Sequence, residues 1–236
     1  MILHIPHSST DTKEVTFDCD LERELHRMTD WFTDKLFEHP EATRIVLPVS
    51  RLICDVERFE DDNLEVMAAK GMGVCYTTNS FGEKLRDVNA TEREYILETY
   101  YKPHHEALTT AVDEELEHNG SALMVDCHSF SNTPLPHEDA QETPRPDICI
   151  GTDTFHTPQV YIDIIQDHFT KRGYNVAINT PFAGTLIPMK HYQRNANIHS
   201  VMIELNRDLY MGNGNFNKVK DDITELLTKL SSKLLK

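Results

Sequence analysis

The stretch Leu123-Met124-Val125-Asp126-Cys127-His128-Ser129-Phe130-Ser131 decides how the rest of the chain is interpreted. It begins as an apolar run with the length of a buried strand and then changes abruptly to Asp-Cys-His-Ser. In α/β proteins, functional side chains gather at the carboxyl ends of such strands. A lone histidine in this place more often hydrogen-bonds a neighbour than takes part in chemistry. A functional role for His128 therefore needs support from other strand ends.

Two earlier predicted strands also end in polar residues. Residues 2–6 are apolar and run directly into His7. Residues 44–49 are followed by a segment in which charges interrupt an apolar stretch, Arg51-Leu52-Ile53-Cys54-Asp55-Val56-Glu57-Arg58. Charged side chains so close to bulky apolar neighbours have to be paired or used, because burial of an unpaired charge is costly.

A later apolar strand, residues 200–205, contains Glu204 and is followed by Arg207. Two imidazoles and a carboxylate from different strands are a usual ligand set of a catalytic zinc ion, which keeps a fourth position open for water. The sequence has no local zinc signature such as HExxH. From the residues alone, two structural histidines are as good an interpretation of His7 and His128 as a metal site.

Apolar segments of strand length alternate with amphipathic segments along the chain. Helical spacing predicts helices at about 20–38, 90–119, 158–172 and 219–234. This alternation indicates an α/β fold in a single domain that spans residues 1–236. Long loops are predicted at 68–82, which is rich in Gly, Thr and Asn, and at 132–146, which is rich in Pro and acidic residues.

The composition excludes several classes of function. The chain has 39 Asp and Glu against 23 Lys and Arg, which argues against binding to nucleic acid or to an anionic membrane surface but not against small polar substrates. Neither a signal peptide nor a membrane-spanning segment is recognisable, so we expect a cytoplasmic protein. The five cysteines form no CxxC pair, and we expect free thiols, buried at Cys54, Cys127 and Cys149. No pattern indicates the oligomeric state.

Five segments, in order along nearly the whole chain, resemble motifs of the N-formylglutamate amidohydrolase family. They are Pro6-His7-Ser8, Asp55-Val56-Glu57-Arg58-Phe59, Asp126-Cys127-His128-Ser129, Asn179-Thr180-Pro181-Phe182-Ala183-Gly184 and Glu204-Leu205-Asn206-Arg207-Asp208-Leu209-Tyr210. That family is in turn similar to the zinc carboxypeptidases and aspartoacylases. The resemblance thus implies a carboxypeptidase-like, phosphorylase/hydrolase-like α/β fold with a mixed, mostly parallel sheet between helices.

The resemblance also implies roles for individual residues. His7 and His128 would hold zinc or another divalent ion, which activates water for amide hydrolysis. Glu204 stands where the related enzymes have a general base, and Arg51 where they have an arginine that stabilises the oxyanion. The implied reaction is cleavage of the amide bond of an N-acylated acidic amino acid such as N-formylglutamate.

Arg58 and Arg207 would bind carboxylate groups of this small substrate, because a guanidinium group offers two parallel hydrogen bonds. For Arg207, a structural ion pair with Asp208 is nearly as good an interpretation. Two other functions stay open. One is a carboxypeptidase-like or peptidoglycan-directed amidase with the same zinc site, and the other is a catalytically silent carboxylate-binding protein. A closed lid formed by the two predicted loops would favour a small substrate, whereas an open groove would favour a peptide.

Two segments depart from the related proteins. Zinc carboxypeptidases take a carboxylate ligand from His-x-x-Glu, whereas the residue three after His7 is Thr10. We expect Glu57 to be the third ligand and Asp55 to hold His7 through a hydrogen bond, and the exchange of these two roles is the alternative. Residues 189–197 also differ from the family pattern, and they could alter substrate specificity.

Overall fold

Strand β3 (Ala122–Phe130) lies inside the sheet and contains the stretch that ends in Asp-Cys-His-Ser. The computed structural model describes residues 1–212 and 214–234, and within them the sheet has six strands. The others are β1 (Ile2–Ile5), β2 (Thr43–Val46), β4 (Ile148–Gly151), β5 (Val176–Ile178) and β6 (Ile198–Asn206). Their order is β2-β1-β3-β6-β4-β5, and neighbours are parallel except for β4 and β6. This mixed, mostly parallel sheet confirms the predicted fold class.

Helices flank the sheet: α1 (Leu21–Met28), α2 (Thr33–Leu36), α3 (Ala90–Ile96), α4 (Lys102–Asn119), α5 (Gln159–Thr170) and α6 (Phe216–Leu234). A π-helical turn, Leu97–Tyr101, joins α3 to α4 just before Pro103. Asn89 caps α3 by accepting a hydrogen bond from the backbone N–H of Glu92 at 3.0 Å. Gly120, with φ of 72°, ends α4 in the left-handed conformation that glycine adopts without strain.

The two faces of the sheet carry different apolar cores. On one face, Val125 of β3 packs with residues of α2, α5 and α6. On the other face, Met124 packs with residues of α4. Side chains alternate along a strand, so Asp126 and His128 lie on the same face as Met124. The apolar part of this face therefore gives way to polar groups towards the carboxyl end of β3.

The predicted single helix over 20–38 is wrong, because α1 and α2 are separated by a break in helical geometry. Thr29 is extended, with φ of -80° and ψ of 135°. Contacts distant in sequence hold the break: the backbone N–H of Asp30 donates to the His7 carbonyl at 2.9 Å, and Arg207 donates to the Thr29 carbonyl at 2.8 Å. Apolar spacing cannot reveal such contacts. The break directs Asp30 towards the carboxyl edge of the sheet.

The predicted loops at 68–82 and 132–146 contact each other, and we call them together the lid. The Nζ of Lys70 donates to the carbonyl of His137 at 3.0 Å. The Nδ1 of His137 in turn lies 3.3 Å from the carbonyl oxygen of Ser80. These contacts join the two loops on the side of the sheet that carries the polar strand ends.

The cysteines behave as predicted, since Cys54, Cys127 and Cys149 are buried free thiols. Burial raises the pKa of the Cys149 thiol to about 11, so it stays protonated at neutral pH. These cysteines are therefore packing residues. Within the described ranges, no helix is long and apolar enough to cross a membrane.

Candidate metal centre

The sheet brings several polar side chains together at its carboxyl edge. In the parallel pair β3 and β6, His128 is paired with Glu204, and in the pair β1 and β3, His4 is paired with Asp126. Residues paired across neighbouring strands point to the same face of a sheet. His7 follows shortly after the end of β1. The carboxyl ends of three strands thus contribute to one cluster.

The rings of His7 and His128 lie side by side, with their centroids 5.2 Å apart. Each ring donates one N–H to a buried carboxylate. The Nε2 of His7 lies 3.0 Å from Oδ1 of Asp55, and the Nδ1 of His128 lies 2.9 Å from Oδ2 of Asp30. These hydrogen bonds leave the lone pairs of neutral imidazoles on Nδ1 of His7 and Nε2 of His128. Metal-ligating histidines usually have a carboxylate on the far nitrogen in this way.

Glu57 lies against the other nitrogen of each ring. One of its carboxylate oxygens is 3.1 Å from Nε2 of His128, and the other is 3.7 Å from Nδ1 of His7. His7, Glu57 and His128 offer ligand atoms within 4.8 Å of one another. The Nδ1 of His7 is buried and makes no hydrogen bond to any residue that the structure describes. Two imidazoles and a carboxylate, with one nitrogen left unsatisfied, fit a divalent metal ion with an open coordination position.

Asp55 is a buried hydrogen-bond hub. Its Oδ2 accepts from the guanidinium of Arg51 at 2.8 Å and from the hydroxyl of Tyr76 at 2.6 Å, while its Oδ1 accepts from His7. Burial opposes ionisation, but the guanidinium groups of Arg58 and Arg51 hold the pKa of Asp55 well below its usual range. Both oxygens are engaged. Asp55 is thus positioned to orient His7 and the arginines, whereas Glu57 faces both imidazoles.

Carboxylates crowd around the two histidines. The Oδ1 of Asp126 is 3.0 Å from Nε2 of His128. Burial opposes protonation of His128, but Glu57 and Asp126 raise its pKa well above the usual value. Burial likewise opposes ionisation of Asp30, yet the hydrogen bond from His128 and the nearby ring of His7 lower its pKa. The cluster therefore stabilises an added positive charge, which is the electrostatic property of a cation site.

Glu204 lies beside His128 and is only 7% exposed. Its Oε2 makes no hydrogen bond within the described residues. Burial is the main reason that the pKa of Glu204 is raised to about 8, against the opposing effect of His128. A carboxyl group that titrates near neutral pH and has a free oxygen can take up and release a proton during a reaction.

A cavity of about 530 Å³, which we call the main cavity, is lined by His7, Asp30, Glu57, His128 and Glu204. Arg51, Arg58 and Arg207 contribute to its polar wall, and Phe182 and its neighbours contribute to an apolar wall. Leu135 and residues 137–140 of the lid line it as well, and so do Val66 and Met67, which lie just before the first lid loop. Its size and its mixture of apolar walls with a few convergent charged groups are typical of small-molecule sites.

The sequence profile of the N-formylglutamate amidohydrolase family matches residues 1–211. The chain belongs to this family. Among relatives of the family, a protein of Pseudomonas putida described as N-formylglutamate deformylase is 26% identical over 222 residues. The aligned part is 89% of this chain and 81% of the relative. The predicted family is therefore confirmed.

Two solved structures share the fold. The N-formylglutamate amidohydrolase from Ralstonia eutropha JMP134 has a TM-score of 0.85 at 21% identity, covering 99% of this chain and 93% of that protein. A gene product of Agrobacterium tumefaciens has a TM-score of 0.67 at 18% identity, covering 100% of this chain and 92% of that protein. At these identities the likeness concerns the fold alone.

Two buried residues of the cluster, Asp30 and His4, are missing from the prediction. Asp30 is hidden because helical spacing places it on the surface of a continuous helix. His4 is visible as a histidine inside an apolar strand, a position that requires a polar partner. Its Nδ1 lies 2.7 Å from Oδ1 of Asp126, and its Nε2 lies 2.9 Å from Nε2 of His104. His4, Asp126 and Glu57 also lie within ligand distance of one another, but both nitrogens of His4 are engaged.

Arg207 has a structural task in addition to its place on the cavity wall. Its Nη1 donates to the carbonyls of His26 and Thr29, at 3.2 and 2.8 Å, and so holds the end of α1. Its buried Nε makes no hydrogen bond within the described part of the chain. The side chain can therefore bind the backbone and still offer a donor to a ligand.

Residues 189–197, which depart from the family pattern, do not line the main cavity. His191 is fixed to α4 by a contact of 2.8 Å between its Nε2 and Oδ1 of Asp113. Met189 and Tyr192 line a second cavity next to the main one. An effect of this segment on specificity would therefore act through the second cavity.

Proposed function

We propose that this protein is a metal-dependent amidohydrolase that cleaves the formyl amide of N-formylglutamate. The observation that carries the proposal is the pair His7 and His128, each backed by a buried carboxylate and each turning its other nitrogen towards Glu57. Membership of the N-formylglutamate amidohydrolase family and the name of the Pseudomonas putida relative support the choice of substrate.

His7, Glu57 and His128 would hold the metal, which we take to be zinc or another divalent ion. When bound, such an ion supplies Lewis acidity, which makes water nucleophilic near neutral pH and polarises a carbonyl group. Asp55 and Asp30 keep the two imidazoles in the tautomers that this role requires, through contacts of 3.0 and 2.9 Å.

Glu204 is the proposed general base. Hydrolysis of the formyl amide joins the oxygen of water to the formyl carbon, breaks the C–N bond and releases formate and the free amine. One proton of the water has to reach the leaving nitrogen. Glu204 can carry it, because its Oε2 is free of other hydrogen bonds within the described residues and because its pKa is raised to about 8.

The arginines supply the remaining polar contacts. Arg51 is held by Asp55 and has a buried Nε without a partner among the described residues, which suits stabilisation of the developing oxyanion. Arg58 and Arg207 are the proposed partners of the two carboxylates of the substrate. An anionic amino acid with two carboxylates matches this arginine-lined wall.

The lid favours a small substrate over a peptide. Its two loops are joined through Lys70 and His137, and the second loop lines the main cavity with Leu135 and residues 137–140, so the lid covers the site on that side. A long peptide or a peptidoglycan strand would require these contacts to open. The cavity volume of about 530 Å³ is ample for an N-formyl amino acid.

Release of formate from N-formylglutamate by the purified protein tests the proposal. We expect turnover by the wild type, a loss of about 100-fold or more in kcat for Glu204→Gln, and no change for Glu106→Gln at an exposed position on α4. Full activity of Glu204→Gln would contradict the role of this residue. Cleavage of peptides or peptidoglycan fragments alone, or binding without turnover, would indicate one of the two alternative functions.

A further inference from the structure

A second cavity, of about 300 Å³, lies next to the main one. Its walls come from the turn into α4, from the loop after Gly184 and from the segment that departs from the family pattern. Its aromatic and aliphatic lining includes the side chains of Phe59, Tyr101, His105, Ile187, Met189 and Tyr192. Aromatic rings and aliphatic groups thus make up most of its surface.

The two cavities meet at Glu57 and Arg58, which line both. They also touch consecutive residues of one loop, since Ala183 lines the main cavity and Gly184 the second. The second cavity is therefore bordered by Glu57, which is one of the candidate metal ligands. A molecule whose reacting bond lies beside Glu57 would be flanked by the main cavity on one side and by the second cavity on the other.

The polar groups in the walls of the second cavity are already satisfied. The hydroxyl of Tyr101 donates to the carbonyl of Arg58 at 2.8 Å, and the Nε2 of His105 contacts the carbonyl of Val56 at 2.8 Å. Burial lowers the pKa of His105 to about 4, so this ring is neutral at physiological pH. Besides the shared Glu57 and Arg58, the charged group in the wall is Asp153, whose Oδ1 accepts from the backbone N–H groups of Phe155 and His156 at 2.8 Å. The rest of the wall is mainly apolar.

The mouth of the second cavity is also apolar. Phe59 is 48% exposed and Met189 is 62% exposed, although both are large hydrophobic residues. Burial of apolar surface against another apolar group is favourable. The exposed parts of Phe59 and Met189 lack such a contact. A flexible apolar chain that enters the cavity would cover both of them.

We propose that the second cavity binds the apolar chain of a longer N-acyl group, so that the substrate class is N-acyl acidic amino acids and not only their formyl derivatives. This inference rests on the proposed function. The amino acid part of the substrate lies against the arginines of the main cavity, the amide lies beside Glu57, and the aliphatic chain extends past Arg58 towards Tyr192. The bond that breaks is the same, and the products are a fatty or short-chain carboxylate and the free amino acid.

The size of the effect follows from burial of the chain. Each methylene that moves from water into an apolar pocket raises kcat/KM by about fourfold, since this binding energy is available in the transition state. The gain should stop when the cavity is full. Acetyl, propionyl, butyryl and hexanoyl derivatives of glutamate therefore form a graded series, with N-formylglutamate as the reference for the main site.

The experiment measures kcat/KM for this series with wild type, Met189→Trp and the matched control Val160→Trp. Met189 is at the mouth of the second cavity, whereas Val160 is similarly apolar and partly exposed on α5 and lines neither of the two cavities. We expect kcat/KM to rise about fourfold per methylene in the wild type and in Val160→Trp. In Met189→Trp the rise should disappear, with hydrolysis of N-formylglutamate unchanged.

The outcomes separate the two proposals. Turnover of N-formylglutamate with no gain along the acyl series in the wild type would overturn the acyl cavity and leave the proposed function intact. An equal loss of kcat/KM on all substrates in Met189→Trp would also overturn the proposed acyl cavity. Blocking that cavity should leave hydrolysis of the formyl substrate unchanged. Turnover of no member of the series, including N-formylglutamate, would overturn both proposals.

Discussion

The Nδ1 of His128 lies 2.9 Å from Oδ2 of Asp30, and both side chains are buried. Asp30 comes from the break between α1 and α2, whereas His128 comes from β3, which follows about a hundred residues later. The contact aligns the imidazole so that Nε2 faces Glu57. The orientation of His128, a proposed metal ligand, thus depends on the end of α1, which places Asp30.

Replacement of Asp30 tests this dependence. Asp30→Asn removes the negative charge that holds the Nδ1 proton of His128, so we expect the affinity for zinc to fall about 10–100-fold. Competition with a chromophoric chelator measures the Kd for zinc. Asp34→Asn makes the same change on α2, outside the cluster, and should leave the Kd unchanged. An unchanged Kd in Asp30→Asn would show that His128 does not need this partner.

Arg51 and Arg58 flank the same oxygen of Asp55, with N–O distances of 2.8 and 3.6 Å, but should affect catalysis differently. We expect Arg51→Gln to lower kcat by about 100–1000-fold, because an oxyanion donor acts in the transition state. Arg58→Gln should mainly raise KM, because a carboxylate contact is made equally in the ground state. Steady-state kinetics with N-formylglutamate separate the two effects, and equal losses of kcat would refute the assignment.

Arg207 should contribute to stability whether or not it binds substrate. Arg207→Gln removes charged hydrogen bonds to the carbonyls at the end of α1, so we expect the free energy of unfolding to fall by about 1.5–3 kcal/mol. Urea denaturation of the metal-free protein measures this change. Arg194→Gln, at an exposed position, should change it by less than about 0.5 kcal/mol. A normal stability together with a raised KM would mean that substrate binding is the main role of Arg207.

The half-buried His105, on the wall of the second cavity, predicts a pH dependence of stability. Burial lowers the pKa of His105 to about 4, from an ordinary value near 6.5. Between these values the unfolded chain binds a proton that the folded protein does not, so His105 makes the fold less stable as the pH falls from about 6.5 to 4. Above this window it has no effect on the pH dependence.

His105→Gln keeps a donor for the carbonyl of Val56 but removes the titration. We expect the slope of unfolding free energy against pH, measured by urea denaturation from pH 6.5 to 4.5, to be shallower in the variant by up to about 1.4 kcal/mol per pH unit. Other groups that titrate in this range contribute equally to both proteins. Identical slopes in the two proteins would mean that His105 is protonated in the folded state.

Much of the candidate site could be predicted from sequence because parallel strands end at a common edge. His7, His128 and Glu204 each follow or interrupt an apolar strand, and the order of strands then brings them together. The choice between Asp55 and Glu57 could not be made in this way. These two residues lie in a segment without regular secondary structure, where side-chain direction is decided by partners such as Tyr76.

The position of Asp30 and the contact between the lid loops could not be predicted from local sequence patterns. The apolar spacing of residues 20–38 fits a continuous helix, and the break depends on contacts with His7 and Arg207 that no local pattern encodes. The lid loops are recognisable by composition, but their closure depends on the contact between Lys70 and the carbonyl of His137. Both features arise from tertiary contacts between segments that are far apart in the chain.

Metal titration of the chelator-treated protein is the most direct test of the proposed metal site. The metal-free protein should release no formate from N-formylglutamate, and activity should return in proportion to added zinc until one equivalent per chain is bound. His128→Gln should bind less zinc and recover little activity under the same conditions. Full turnover by protein that contains no metal, or full recovery by the His128→Gln variant, would contradict the account.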